Sequence, residues 1–109
     1  RRILPAAVVE AIERGGDPDA FARGPAAGPG NQGWSYHAQW WHTHNANRAY
    51  LAMGDGGQLL YIDPVAQMVV AKFSSFPTPT PAGNEFYSAF AALPALGAWL
   101  AVTGTQDAP

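Results

Sequence analysis

Residues 50–74, YLAMGDGGQLLYIDPVAQMVVAKFS, carry the pattern that decides the fold of this chain. Three runs of strand length occur in this stretch, and turn-forming residues separate them. The runs are Tyr50–Met53, Gln58–Asp63 and Gln67–Ser74. The last two are joined by a connection of hairpin length and are almost continuously apolar. We therefore expect them to pair as antiparallel strands with both faces of the sheet covered.

An aromatic segment precedes these runs and predicts a further strand. Residues Trp34–Asn45 are rich in tryptophan, tyrosine and histidine, and aromatic side chains favour strands. The preceding residues, Gly16–Gly33, are rich in glycine and proline and predict a loop with one helical turn at Ala20–Ala22. Because so long an irregular stretch is uncommon inside a compact domain, we expect a surface loop that leads toward a functional site.

Helices are predicted near both ends of the chain. Leu4–Arg14 has apolar residues at helical spacing, and Gly15 supplies a left-handed stop. Toward the other end, a second set of apolar residues repeats at helical spacing after a candidate N-cap at Asn84. Pro94 lies inside this second pattern and should kink or split the helix. The apolar residues of the second set are Phe86, Phe90, Leu93, Leu96 and Leu100.

Together these elements predict an α+β fold, an antiparallel sheet of about four strands flanked by helices. The order would be helix, long loop, four strands, helix. Residues 76–81 contain three prolines and should be extended, and residues 103–109 should form a frayed end. A chain of 109 residues allows one compact domain at most.

The composition excludes several classes of function. With 6 Lys+Arg against 8 Asp+Glu and a net charge of −2, the chain has no positive excess to neutralise nucleic-acid phosphates. No apolar run approaches the roughly 20 residues that a membrane-spanning helix needs. Without cysteine there is neither a disulfide framework nor a thiolate zinc site. We expect no cofactor, no nucleic-acid or membrane partner, and a cytoplasmic protein.

The glycine-rich run Gly54–Gly57 is the first candidate site. Its three glycines allow unusual backbone conformations and let a ligand approach the main chain closely. Free amide N–H groups in such a turn can donate hydrogen bonds to a developing oxyanion. The alternative is that the run is only a tight turn between two strands.

His42 and His44 form a second candidate. Two residues apart on one strand project from the same face, so both imidazoles could bind one metal ion. Two ligands are too few, and Asp55 could be a third only if the fold brings it close. A pair of exposed or hydrogen-bonded histidines is the alternative, and we predict no metal site.

The aromatic side chains of Trp34, Tyr36, Trp40 and Trp41 form a third candidate. Adjacent residues on a strand face opposite sides, so Trp40 and Trp41 cannot both join the core. One of them could line a pocket and stack on the apolar part of a ligand. The alternative is that both are packing residues.

The sequence contains no arrangement typical of a nucleophile. None of the serines, including Ser35 and Ser74, stands in a Gly-x-Ser-x-Gly or Ser-x-x-Lys setting. Paired carboxylates and a phosphate-binding loop are also absent. Taken alone, the chain lacks the parts of a complete active site.

Four ordered segments resemble the C-terminal part of the β-lactamase-related serine hydrolases. They are residues 1–9 (RRILPAAVV), Asn31–Trp41 with its paired tryptophans, residues 54–64 with the pattern Gly-x-x-Gly-Gln-x-x-Tyr-Ile-Asp-Pro, and residues 69–75 (VVAKFSS). Within that superfamily the sequence is most similar to the 6-aminohexanoate-dimer hydrolase group and its esterase relatives. The similarity covers residues 1–101.

This resemblance implies the C-terminal part of a β-lactamase/transpeptidase-like fold. Residues 1–109 would then be a segment of a serine-hydrolase domain that is incomplete without an upstream portion. Members of the family form an acyl-enzyme through a Ser-x-x-Lys serine, assisted by a Tyr-x-Asn tyrosine, and both motifs lie upstream in the family. The chain alone should therefore be inactive.

The resemblance also implies roles for particular residues. Ala52-Met53-Gly54 stands where the family has Lys-Thr-Gly, a departure that speaks against β-lactam recognition. Gly54 and the backbone N–H of Asp55 would belong to the oxyanion hole, and Gly56 would lie beside the substrate. Trp41, or its neighbour Trp40, resembles the aromatic wall of the acyl pocket.

Two functions follow from these observations. In the first, the chain is part of a serine hydrolase that cleaves amide or ester bonds of small linear substrates, such as 6-aminohexanoate oligomers, with the nucleophile outside this chain. In the second, it is a stand-alone module that binds a sugar or another small molecule on its tryptophan patch.

Overall fold

The computed structural model describes residues 1–77 and 85–103. These residues form three helices and one sheet, and adjacent strands of the sheet are antiparallel in the order β1-β2-β3-β4-β5. This confirms the predicted α+β class. The helices are α1 (Ala6–Arg14), α2 (Pro18–Ala22) and α3 (Glu85–Thr103), and the strands are β1 (Ser35–His37), β2 (Trp40–His42), β3 (Tyr50–Gly54), β4 (Gln58–Asp63) and β5 (Met68–Lys72).

The aromatic segment forms two strands rather than one, so the sheet has five strands and not four. β1 and β2 pair as a hairpin in which Tyr36 lies opposite Trp41. The two turn residues, Ala38 and Gln39, both have positive φ, at 52° and 70°. Tight hairpins need this conformation, and Asn and Gly usually supply it. The Ala-Gln pair carries no such signal, which is why the sequence predicted one continuous strand.

One face of the sheet, here called the core face, contains the apolar core. Its central side chains are Leu51, Leu59 and Tyr61, each at most 4% exposed. The half-buried residues Phe90, Leu93 and Leu100 of α3 pack against this cluster. Each of these side chains removes apolar surface from water, so contact with α3 contributes to the stability of the sheet.

The opposite face of the sheet, here called the open face, is only partly covered by the described residues. The strand register places Tyr50, Ile62 and Val69 in one row on this face. Val69 is 66% exposed, and Phe73, just beyond β5, is 89% exposed. The expectation that both faces are covered is therefore not met within this chain, because no described element packs over β4 and β5 there.

Helix α1 covers the open face only near β2. It begins at Ala6 rather than Leu4, and Gly15 ends it with φ of 74°, as predicted. Leu4 and Val8 of the predicted apolar stripe remain more than two-fifths exposed. The contact with the sheet instead involves the end of the helix, where the ring of His42 is hydrogen-bonded to the carbonyl oxygen of Glu13.

Two further predictions concern the connections. The loop after α1 contains the short helix α2, where the Asp17 carboxylate accepts a hydrogen bond from the backbone N–H of Asp19 at 2.9 Å. Helix α3 runs through Pro94 as one element. Of the two predicted outcomes, the split is therefore wrong, and the kink stays a prediction. The proposed N-cap Asn84, most of the proline-rich segment and residues 104–109 lie outside the described residues. Within the described part, no helix is long and apolar enough to cross a membrane.

Candidate functional site

The Gly54–Gly57 run forms the turn between β3 and β4. Gly54 is the last residue of β3 and lies opposite Gln58. Gly56 and Gly57 have positive φ, at 78° and 91°, a conformation that L side chains rarely adopt. Asp55 and Gly54 are exposed at the tip, whereas Gly57 is buried. Glycine is therefore required by the backbone at the second half of the turn.

A cleft of about 390 Å³ lies beside this turn, mainly on the open face. β2 pairs with β3 only at Trp41 opposite Leu51 and at His42 opposite Tyr50, so the edge of β3 beyond these pairs has no partner in the sheet. The volume of the cleft falls in the usual range for small-molecule sites. The lining residues are Ala52, Met53, Gly54, Gln58, Leu59, Leu60, Ala71, Lys72 and Phe73.

The two tryptophans of β2 lie on opposite faces, as predicted. The indole of Trp40 contacts the ring of Tyr50 on the open face, with centroids 5.3 Å apart. Trp41 packs against Tyr36 at 4.7 Å and against the core. By strand alternation, only Trp40 shares a face with Gly54. Trp41 lines a separate apolar cavity of about 260 Å³ together with residues of α2 and the following loop.

The end of β5 and the segment that follows it contact the Gly54–Gly57 turn, and the sequence analysis did not predict these contacts. The backbone N–H of Phe76 donates to the Gly56 carbonyl at 3.0 Å. The Lys72 ammonium donates to the Gly57 carbonyl at 3.1 Å and to the Ser74 hydroxyl at 2.7 Å. The side-chain amide of Gln58 bonds both backbone groups of Ser74. Only the three-dimensional return of β5 to β4 brings these residues to the turn.

Comparison with known proteins finds proteins that are similar to this chain in sequence or structure. No protein-family model matches the chain. The 6-aminohexanoate-dimer hydrolase of Paenarthrobacter ureafaciens is 33% identical over 78 residues, which are 72% of this chain and 20% of that enzyme. A solved structure from Bacillus anthracis, assigned as a 6-aminohexanoate-dimer hydrolase, superposes on 92% of this chain with a TM-score of 0.67 and 38% identity. The chain is related to part of the 6-aminohexanoate-dimer hydrolases.

This similarity confirms the resemblance to the 6-aminohexanoate-dimer hydrolase group that was predicted from the sequence. The chain spans only about a fifth to a quarter of the length of these hydrolases. The roles predicted for Gly54, Asp55, Gly56, Trp40 and Trp41 stay predictions, since neither comparison concerns individual residues.

The two histidines form a hydrogen-bonded pair. His42 ends β2, whereas His44 lies beyond the strand with φ of 54°, so the predicted alternation along one strand does not hold. Their rings nevertheless contact each other at 4.3 Å. The backbone N–H of His44 donates to Nδ1 of His42 at 3.0 Å, and Nε2 of His42 donates to the Glu13 carbonyl at 2.6 Å. Among the described residues, no group of three or more His, Asp or Glu is placed to hold a metal ion.

Burial lowers the pKa of both histidines of this pair. For His42 desolvation is the largest cause; the hydrogen bond to Glu13 opposes it, and the charges of His44 and Arg48 add to it. For His44 the cause is also burial. One ring nitrogen of His42 donates a hydrogen bond and the other accepts one, as the neutral imidazole does. The folded state therefore stabilises the neutral form of His42.

A serine–histidine pair is present but cannot be the nucleophile of a hydrolase. The hydroxyl of Ser35 is 2.6 Å from Nε2 of His44 and accepts a hydrogen bond from the Gly16 N–H at 2.8 Å. Ser35 is 0% exposed, so no substrate carbonyl can reach its oxygen. The pair attaches the residue that follows the end of α1 to the β1–β2 hairpin.

Proposed function

We propose that this chain is the C-terminal part of a serine hydrolase that cleaves amide or ester bonds of small linear substrates, such as 6-aminohexanoate oligomers. The observation that carries the proposal is that Gly54, which lines a cleft of about 390 Å³, and the adjacent Asp55 are both exposed at the tip of the turn. The named hydrolase relatives support the same class. The attacking serine belongs to polypeptide outside residues 1–109.

The chemistry assigned to the turn is stabilisation of negative charge. When a serine hydroxyl attacks the substrate carbonyl carbon, its proton passes to a base and the carbonyl oxygen becomes an oxyanion. The backbone N–H of Asp55 donates a hydrogen bond to that oxygen. Collapse releases the amine or alcohol with a proton and leaves an acyl-enzyme, which water then hydrolyses. A donor of this kind contributes about 10²- to 10³-fold to kcat.

The side chain of Asp55 has no part in this step. A carboxylate next to an oxyanion would be unfavourable, so we propose that it points away from the substrate while its amide points toward it. Asp55 is exposed at the tip of the turn, which leaves its side chain free to lie in solvent. Replacing this side chain should therefore matter far less than replacing its glycine neighbours.

The open face and Trp40 complete the proposed site. Val69 and Phe73 leave apolar surface exposed on the open face, and such surface usually marks an interface. We propose that the upstream part of the hydrolase covers it and brings the serine to the cleft. Trp40, which shares a face with Gly54, then forms the aromatic wall of the substrate pocket, with Gly56 beside the substrate.

A segment exchange tests this proposal. Residues 1–109 replace the matching part of the 6-aminohexanoate-dimer hydrolase of Paenarthrobacter ureafaciens, and hydrolysis of a p-nitrophenyl ester and of the 6-aminohexanoate dimer is measured. We expect the exchanged enzyme to hydrolyse both and the 109-residue chain alone to hydrolyse neither. In the exchanged enzyme, Asp55→Ala should keep kcat within about threefold, because the backbone amide remains, whereas Asp55→Pro should lower kcat by about 10²-fold, because proline has no N–H.

The controls separate loss of the site from loss of the fold. Circular dichroism of each variant shows whether the exchanged enzyme is folded. Equal hydrolysis by the isolated chain and the exchanged enzyme would contradict the proposal, since the nucleophile would then lie within residues 1–109. An inactive but folded exchange, together with sugar-induced quenching of tryptophan fluorescence in the isolated chain, would favour the binding-module alternative.

A further inference from the structure

The turn that we assign to oxyanion binding is intrinsically loose. Three of its four residues are glycines, and glycine loses more conformational freedom on ordering than any other residue. An oxyanion donor contributes only if it is already in place when charge develops. Something outside the turn must therefore restrain Gly54–Gly57, and the structure shows which residues do so.

The side chain of Gln58 joins the start of β4 to the segment after β5. Its amide Nε2 donates to the Ser74 carbonyl, and its Oε1 accepts from the Ser74 N–H at 3.1 Å. With these two hydrogen bonds, the side-chain amide of Gln58 pairs with the backbone of Ser74 in the way that a neighbouring strand residue would. They keep residues 74–76 beside the turn, where the Phe76 N–H reaches the Gly56 carbonyl.

The side chain of Lys72 holds the turn from the same side. Its ammonium donates to the Gly57 carbonyl and to the Ser74 hydroxyl, and lies 4.7 Å from the centre of the Phe76 ring. That ring packs so closely on Gly57 that a Cβ atom at position 57 would overlap it. Two adjacent carbonyls of the turn, those of Gly56 and Gly57, are thus both occupied by donors from residues 72–76.

We propose that Gln58 and Lys72 are positioning residues for the oxyanion amide of Asp55. This inference rests on the proposed function of the turn. Both side chains line the cleft, and the role assigned to them here comes from their hydrogen bonds to Gly57 and Ser74. Freeing the Gly56 and Gly57 carbonyls lets the turn rotate, and the Asp55 N–H moves with it. Because a displacement of about 1 Å at a reacting group costs up to 10²-fold in rate, we expect partial losses of about 10-fold.

The first measurement uses the 109-residue chain itself. Amide hydrogen exchange of Gly54–Gly57 is followed by NMR in the unsubstituted chain, in Lys72→Met and in Gln58→Glu. Lys72→Met removes the donors and keeps the apolar stem, whereas Gln58→Glu keeps the acceptor for the Ser74 N–H and removes the donor to its carbonyl. We expect exchange in the turn to rise about 10-fold in both variants, with Lys72→Arg close to the unsubstituted chain. Arg48→Met, a loss of an exposed cation elsewhere, is the matched control.

The second measurement uses the exchanged hydrolase described above. The same variants are assayed with an oxoester and the corresponding thionoester, because a sulfur anion is a poorer acceptor of the oxyanion hydrogen bond. Lys72→Met and Gln58→Glu should lower kcat for the oxoester about 10-fold with little change in KM, and should reduce its advantage over the thionoester. A purely structural role would lower stability without changing this ratio.

The outcomes separate this inference from the proposed function. If amide hydrogen exchange at the turn is unchanged in both variants, the inference is overturned, regardless of the kinetic results. The inference is also overturned if amide hydrogen exchange at the turn becomes faster while the active segment-exchanged enzyme keeps its kcat and its ratio of oxoester to thionoester hydrolysis. If the segment-exchanged enzyme without substitutions is inactive, the proposed function is contradicted. The amide hydrogen-exchange rates of the 109-residue chain then decide whether Gln58 and Lys72 hold the turn.

Discussion

Gly97 illustrates how one residue sets the distance between α3 and the sheet. It faces the buried carboxylate of Asp63, which accepts hydrogen bonds from the Asn47 amide at 2.9 Å and from the Ala66 N–H at 2.8 Å. A Cβ atom at position 97 would overlap Oδ2 of Asp63. Both oxygens of this carboxylate are thus already satisfied by neutral donors, and only glycine leaves room for them under the helix.

Gly97→Ala should therefore destabilise the chain although alanine favours helices. Overpacking costs about 1–3 kcal/mol, which outweighs the roughly 1 kcal/mol that alanine gains in propensity. Urea unfolding should show a net loss of free energy of unfolding. Ala95→Gly, at an exposed position of the same helix, measures the propensity difference alone. A Gly97→Ala variant as stable as or more stable than the original would contradict this packing.

At the level of single residues, the sequence predicted conformation better than contact. The glycines at positions 54, 56 and 57 indicated an unusual turn, because the residue type itself permits positive φ. The partners of that turn, Lys72 and Phe76, could not be found, since neither residue type announces a contact with a distant carbonyl. The Ser35–His44 bond was missed for the same reason, because it depends on the β1–β2 hairpin.

The attachment of α1 to the sheet depends on the protonation state of His42. His42 lies between the end of α1 and β2, is 2% exposed, and uses both ring nitrogens as the neutral form. Glu13, His44, Arg48 and Tyr50 are the titratable or charged groups around it. Their combined effect lowers its pKa in the folded state, because burial exceeds the opposing influence of Glu13.

Stability should accordingly decrease on acidification. Since the unfolded chain binds a proton with a pKa near 6.5 and the folded chain binds it less readily, the contribution of His42 is complete above pH 6.5. It falls as the pH drops from 6.5 to the lower folded pKa, with a slope of at most about 1.4 kcal/mol per pH unit. Urea unfolding between pH 7.5 and 5 measures this slope. His42→Gln should flatten it, whereas His37→Gln, at an exposed position, should not; equal slopes in all three would contradict the assignment.

Elements with a clear period were predictable, and the hairpin was not. β3, β4 and β5 were located to within one or two residues, because apolar runs between turn residues define strands. The β1–β2 hairpin turns at Ala38-Gln39, a pair with no turn preference. Pro94 was over-weighted as a helix breaker, because packing of Phe90, Leu93 and Leu100 on the core outweighs the hydrogen bond that proline cannot donate.

For the molecule as a whole, the distribution of apolar surface matters more than its amount. α3 covers the core face, while β4 and β5 expose Val69 and the following Phe73 on the open face. The strand pattern indicated that both faces are apolar, but a pattern cannot show whether the covering surface belongs to the same chain. The cleft beside Gly54 lies at the margin of this uncovered region, which is why the sequence alone could not outline the site.

The isolated 109-residue chain should associate through the open face. Exposed apolar patches of this kind drive self-association in water. Light scattering after size-exclusion chromatography, over a range of concentrations, should show species larger than the monomer. Phe73→Ser with Val69→Thr should shift the distribution toward monomer, whereas Val65→Thr, in the exposed β4–β5 turn, should leave it unchanged. A strictly monomeric original chain would count against the open face as an interface.

The hydrogen bonds that restrain the Gly54–Gly57 turn from outside have a practical consequence for engineering. Copying the four residues Gly54–Gly57 into another scaffold would transfer their freedom of movement but not their geometry, since the restraint comes from Gln58 and from residues 72–76. The smallest transplantable unit is therefore residues 54–76, which contain the glycine turn, the β4–β5 hairpin and the segment that restrains the turn.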